Sequence, residues 1–170
     1  MELDRGKIVD LLNEKDPQVI SRLFDEAYRT KVENVGESVY LRGLIEISNI
    51  CRKNCLYCGI RSDNSAVVRY QLSNDDVLGA AKFALDAGYG SIVIQGGERQ
   101  DKAFVKNIKR LIKKIKRLSR ENPLGITLSL GEQPIEVYED WFDAGAHRYL
   151  LRIESSNEEV YNMSHPSGDL

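Results

Sequence analysis

Four short apolar runs, each followed by a turn and a helix-length stretch, constrain the fold of this chain more than any other feature. They are Val39 to Ile47 (VYLRGLIEI), Ser91 to Gln95 (SIVIQ), Gly125 to Leu130 (GITLSL) and Arg148 to Ile153 (RYLLRI). The first alternates and then becomes wholly apolar, as a strand buried on a sheet does. Ser73 opens a helix with Asp76 three residues on, a variant of the capping box, and Gly88 closes it. Asp101 caps a long helix to about Arg120, with Phe104, Ile108, Leu111, Ile112, Ile115 and Leu118 on one face. A further helix runs from Pro134 to Ala144, ended by Gly145, and another begins at Asn157. Strands alternating with helices in this way predict an α/β fold with a parallel sheet and right-handed crossovers. Sites in such folds lie beyond the C-terminal ends of the strands. Polar residues gather there: cysteines after the first run, Gln95 and Glu98 at the second, Ser129 and Glu132 at the third, Arg152 and Glu154 at the fourth.

Two amphipathic helices, Leu3 to Leu12 and Pro17 to Thr30, precede the first strand. Asp16 before Pro17 is a cap followed by a first-turn proline, and Val19, Ile20, Leu23, Phe24 and Ala27 recur at helical spacing. Residues 1–34 are therefore expected to cover one end of the core, and residues 35–170 to form the sheet and its helices. A complete eightfold barrel takes about 200 residues or more, whereas four units occupy this chain of 170. The expectation is the N-terminal half of a longer barrel protein. A free-standing half-barrel would instead have to cover the open edge of its last strand.

Hydrophobic residues make up 42% and charged residues 29%, a globular composition, and the net charge of -2 offers no argument for nucleic acid or an anionic membrane. The long helix carries Lys102, Lys106, Lys109, Lys113, Lys114, Lys116 and Arg117 on its other face. Without interleaved aromatics this reads as a solvated outer surface. No apolar run approaches the roughly 18 residues of a membrane span, and MELDRGKIVD lacks a signal-peptide core, so a reducing cytoplasm is expected.

All three cysteines, Cys51, Cys55 and Cys58, fall within SNICRKNCLYCGIR, directly after the first strand. Soft sulfur ligands so closely spaced select zinc, copper(I) or an iron-sulfur cluster. Structural zinc wants four ligands, and His147 and His165 are remote in sequence. Three thiolates suit a four-iron cluster with one iron left to an outside ligand. Zinc completed by a histidine or a second chain, a chance cluster, and a disulfide with one thiol left over stay open as alternatives. On residue chemistry alone, Glu98 on its glycine turn could receive an ammonium, Arg152 could hold a carboxylate in a bidentate fork, and Glu154 could accept from a hydroxyl or an ammonium.

The C-x3-C-x2-C spacing, with Tyr57 just before the last cysteine, resembles that of the radical S-adenosylmethionine (SAM) superfamily. The strings LRGLIEISNICRKNCLYCGIR, RYQLS, IVIQGGE, ITLSLGE, AGAHRYLLRIES and SNEEVY are similar to successive blocks of the HydE-type maturases of FeFe-hydrogenase, in the biotin synthase-like group. The resemblance spans residues 41 to 161. It implies a TIM-type barrel in which Cys51, Cys55 and Cys58 hold a 4Fe-4S cluster and Tyr57 lies by the adenine of SAM. It implies that Gln95, Gly96, Gly97 and Glu98 meet the SAM amino group, that Arg152 and Glu154 bind SAM from the fourth strand, and that Ser129 faces the cavity. The implied activity is reductive cleavage of SAM to a 5'-deoxyadenosyl radical that attacks a small-molecule substrate. An external electron donor and hydrogenase maturation proteins are the implied partners; no conventional base, nucleophile or triad is required. Relatives often carry a Ser-Gly-Glu turn where this chain has QGGE, and histidine where Ile153 stands. Methylornithine synthase and biotin synthase share the cysteine loop and are rival readings. Outside the enzyme class, a zinc-stabilised binding module or an inactive fragment is the alternative.

Overall fold

The computed structural model describes residues 4–166, so the expected helix start at Leu3 and the segment after Pro166 lie outside the described residues. Two compact units divide the chain, residues 1–39 and 40–170. In the first, α1 spans Arg5–Asn13 and α2 spans Pro17–Val35. Asp4 accepts the Lys7 N–H and Asp16 accepts the Gln18 N–H, with Pro17 at the first helical position, where its missing N–H costs nothing. α2 continues five residues beyond Thr30, until Gly36 adopts a φ of 77°. No residue of either helix is buried.

The second unit is a four-stranded parallel sheet in the order β1-β2-β3-β4, each strand followed by a helix. The strands are β1 Gly43–Ser48, β2 Ser91–Gly96, β3 Gly125–Ser129 and β4 Arg148–Tyr149; the helices are α3 Asn74–Asp86, α4 Lys102–Leu118, α5 Ile135–Asp143 and α6 Glu158–Ser164. Ser73 and Asp76 form the full reciprocal capping box, Asp101 accepts the Phe104 N–H, and Asn157 accepts the Val160 N–H. Strand alternation puts Ile45, Ile47, Ile92, Ile94, Ile126 and Leu128 under the helices, where all are buried. α4 closes this layer with Phe104, Ile108, Leu111, Ile112 and Ile115, each buried side chain contributing roughly 1.5–3 kcal/mol of apolar transfer. α3 packs on β1, β2 and α4, and α4 packs on α5. The lysine-rich face of α4 is partly spent on structural ties: Lys109 pairs with Asp140 at 2.8 Å, and Lys116 donates to the Leu124 carbonyl at 3.1 Å. Among the described residues, no helix is long and apolar enough to cross a membrane.

Two strands differ from their expected extents. Val39, Tyr40 and Leu41 are exposed and unpaired with β2, so β1 begins only at Gly43, where the ladder to Ile92 starts. β4 was expected to reach Ile153 but ends at Tyr149. Leu150 still donates to the Leu128 carbonyl at 2.7 Å. Beyond that, the Tyr149 hydroxyl takes over the next groups of β3's chain, accepting from the Leu130 N–H at 3.3 Å and donating to the Gly131 carbonyl at 2.6 Å. β3 itself ends at Ser129, so residues 151–155 lie past the last ladder position. Arg152 and Glu154 sit on an irregular segment after the strand, where Glu154 takes a left-handed φ of 57° and the Ser155 N–H donates to the Ile153 carbonyl at 2.7 Å.

Candidate functional site

The loop that leaves β1 is built as a closed lobe. Ser48 Oγ donates to the Tyr70 carbonyl at 2.9 Å and accepts the Ile50 N–H at 3.1 Å. Asn49 reaches across the lobe's neck, donating to the Val68 carbonyl at 2.8 Å and accepting the Tyr70 N–H at 2.7 Å. Arg69 fills the interior: one terminal nitrogen donates to the Asn49 and Ile60 carbonyls at 2.7 and 2.8 Å, the other to the Arg61 and Asn64 carbonyls at 2.6 and 3.2 Å. A planar guanidinium with five fixed donors can hold four carbonyls of an irregular loop at once; an ammonium cannot.

On this lobe the three cysteines are free thiols, each half-buried. Burial raises the Cys55 thiol above its ordinary value, the nearby Tyr57 hydroxyl opposes this, and the neighbouring Cys51 and Cys58 raise it further. The lobe is stitched to the end of β2: Arg52 N–H donates to the Glu98 carbonyl at 3.0 Å, Glu98 N–H to the Cys51 sulfur at 3.3 Å, and Gly97 N–H to the Ser48 carbonyl at 3.0 Å. Gly97 is forced by this approach. A Cβ there would fall on the Ile50 carbonyl and 2.7 Å from the Cys51 Cβ.

Between the lobe and the strand ends lies a cavity of about 710 Å³. Cys51, Cys55, Cys58, Tyr57, Gln95, Gly96, Glu98, Ser129, Arg152 and Glu154 all line it. Gly97 alone of the expected site residues does not; it stands behind the wall, against the cysteine loop. Gln95 and Ser129 are register partners on β2 and β3, and Glu46 of β1 continues the same row and accepts from the Gln95 amide at 3.4 Å.

Glu98 is only 6% exposed and its carboxylate is already engaged. One oxygen accepts from Arg52 Nε at 2.7 Å, the other from the Glu132 N–H at 2.9 Å, and Lys53 stands 3.9 Å away while pairing with Glu132 at 3.1 Å. Burial alone would lower the Lys53 ammonium; its hydrogen bond to Glu132 and the charges of Glu98 and Glu132 outweigh that and raise it. Gly131, at a φ of 77°, leaves the space Glu98 fills, since a Cβ there would strike the carboxylate. An incoming ammonium thus meets a fixed acceptor that must exchange Arg52 for it.

Sequence reasoning missed Arg52, Lys53 and Arg69 as site-building residues, and set His165 apart as remote. In the structure His165 lies in the cavity wall, its Nε2 2.9 Å from the Tyr57 hydroxyl. Burial pushes the Tyr57 phenol well above its ordinary range, reinforced by Cys55 and Glu154. Among the described residues, no group of three His, Cys, Asp or Glu side chains converges on a single ion position. A polynuclear cluster takes each thiolate on a different iron, so the three cysteines that hold one need not meet at a single point. Three thiols on one lobe, a backbone N–H on the Cys51 sulfur and the close approach of the lobe to β2 at Gly97 fit such a group.

A family model described as "Radical SAM superfamily" matches residues 45–169. The chain is 39% identical over 166 residues to the [FeFe] hydrogenase maturase subunit HydE of Thermotoga maritima, covering 97% of this chain and 46% of that protein. It is 33% identical over 138 residues to a biotin synthase of Staphylococcus aureus strain JH9, covering 79% and 40%. Among solved structures, methylornithine synthase (PylB) superposes with a TM-score of 0.86 at 21% identity, over 99% of this chain and 49% of that one, which shows the common fold. The chain spans about half the length of the curated relatives it matches. With its parallel βα units and a three-cysteine lobe at the C-terminal end of the first strand, the chain belongs to the radical SAM superfamily.

Proposed function

We propose that residues 35–170 are the cluster- and SAM-binding half of a radical SAM barrel enzyme, preceded by a helical unit in residues 1–34. Cys51, Cys55 and Cys58 hold a 4Fe-4S cluster. When bound and reduced, that group supplies one-electron cleavage of SAM to methionine and a 5'-deoxyadenosyl radical, drawing on an external electron donor. The chain's own residues bind and orient SAM. Glu98 accepts the SAM ammonium in exchange for Arg52, and Arg152 holds the carboxylate through its fork. Glu154 accepts from the ribose, and Tyr57 walls the adenine side. Gly96 and Gly97 let the backbone approach closely, while Gln95 and Ser129 face a small-molecule substrate. The observation that carries this reading is that ten side chains or glycines, from the ends of β2, β3 and β4 and from the lobe that leaves β1, meet in one cavity.

The 39% identity to a protein named as a hydrogenase maturase supports a role in building the diiron part of the FeFe-hydrogenase active site, with maturation proteins as partners and a reducing cytoplasm as location. Identity to a named 3-methylornithine synthase of Methanosarcina acetivorans is 24%, which makes that reaction the second reading. The test is anaerobic reconstitution followed by electron paramagnetic resonance of the reduced protein with and without SAM, and assay of 5'-deoxyadenosine in the same tube. A signal that SAM perturbs, with nucleoside formed, is the expected result. A protein that binds zinc and stays colourless after reconstitution would overturn it.

A further inference from the structure

We propose that His165 is a positioning residue of this cavity, holding Tyr57 in place on the adenine side; the proposal rests on the reading of the cavity as a SAM site. Tyr57 is 57% exposed at the tip of the lobe, and an aromatic side chain so placed would ordinarily sample several rotamers. The end of α6 prevents this. Leu56 N–H donates to the Ser164 carbonyl at 2.9 Å, and the next residue on each side makes the second link, the Tyr57 hydroxyl to His165 Nε2 at 2.9 Å.

His165 is itself fixed. It is buried, stacks on Tyr161 with ring centroids 4.1 Å apart and 11° between planes, and meets Tyr57 edge-on at 5.3 Å. Its Nδ1 is 2.9 Å from the Tyr161 carbonyl oxygen and 3.0 Å from Ser164 Oγ. A carbonyl can only accept, so Nδ1 carries the proton of the neutral ring and Nε2 is left as an acceptor. The Tyr57 hydroxyl then donates to it. With its proton on His165, Tyr57 offers the cavity its ring and an oxygen that faces Cys55 and Glu154. No residue between 59 and 160 takes part in this link, so the geometry assigns to α6 the job of aiming a side chain of the cysteine lobe.

The test compares His165→Phe, which keeps a ring to stack on Tyr161 but has neither nitrogen, with His165→Gln, Tyr57→Phe and the double variant, all reconstituted anaerobically. Iron content and the reduced-cluster signal without SAM are expected to match the parent. SAM affinity is expected to fall about fivefold in His165→Phe and in Tyr57→Phe, as loss of one neutral hydrogen bond predicts, with the double variant no weaker than either. His165→Gln, which restores an acceptor near the Nε2 position, should recover most of the loss. Unchanged SAM affinity in His165→Phe, or losses that multiply in the double variant, would overturn the proposal. A parent protein that takes up iron yet never binds SAM would defeat the site reading itself. The anchoring is then decided on apoprotein by nuclear magnetic resonance: contacts between the Tyr57 and His165 rings are expected in the parent, and Tyr57 shifts identical in His165→Phe would refute it.

Discussion

Replacing Arg69 by alanine should open the cysteine lobe while leaving the sheet intact. Its guanidinium makes four hydrogen bonds to carbonyls between residues 49 and 64. Bonds from a charged donor are each worth about 1.5–3 kcal/mol, so independent bonds would sum to about 6–12 kcal/mol. They are not independent. All four leave with one side chain, and carbonyls on a half-exposed lobe regain water, so about 3 kcal/mol of lobe closure is the expected loss. That is roughly a hundredfold rise in the open population, since about 1.4 kcal/mol is tenfold. The core layer of Ile92, Ile94, Ile108 and Ile126 is untouched, so global melting should move little. Hydrogen exchange on the apoprotein reads the difference directly: Cys58, Arg61 and Ser62 N–H groups, bonded within the lobe to Cys55, Cys58 and Lys53 carbonyls, should lose protection while β2 and β3 amides keep theirs. Arg69→Lys should recover only part of it, because one ammonium cannot span both pairs of carbonyls. Lobe amides that exchange as slowly in Arg69→Ala as in the parent would refute the argument.

Other perturbations separate lobe, strand and core. Gly97→Ala forces the Ile50 carbonyl and the Cys51 side chain away from β2, an overpacking cost of about 1–3 kcal/mol; iron uptake on reconstitution should fall while melting shifts modestly, and full iron loading would contradict it. Burial, helped by Tyr138 and Glu98 and opposed by the Leu130 N–H, holds the Tyr149 phenol well above its ordinary range. Its folded pKa is raised, so its contribution is fully present below the ordinary tyrosine value of about 10 and is lost as pH rises toward the raised value. Denaturant titrations above pH 10 should show a fall in stability that Tyr149→Phe reduces, at a cost near neutrality of about 1 kcal/mol for the orphaned Leu130 N–H. Ile108→Ala, at a fully buried position on α4, should cost about 2–5 kcal/mol of global stability without altering lobe protection, and a loss under 1 kcal/mol would mean the layer collapses around the cavity.

What the sequence determined by itself is whatever can be decided over a few neighbouring residues. The caps at Ser73, Asp101 and Asn157, the 3.6-residue stripe of α4 and the apolar strand runs are settled by propensity, periodicity and local hydrogen bonds, and each places its element within a few residues. The spacing of Cys51, Cys55 and Cys58 likewise gathers three thiols on one loop before any fold is known. Tertiary structure decided how polar groups distant in the chain divide among partners. The Tyr149 hydroxyl engages the Leu130 N–H and the Gly131 carbonyl just past the two-residue β4, a pairing which no strand propensity could register. Arg52 meets Glu98 across 46 positions, and His165 meets Tyr57 across 108. A side chain's partner in such a pair is set by which loop closures the packed sheet permits, and that choice exists only once the sheet has formed.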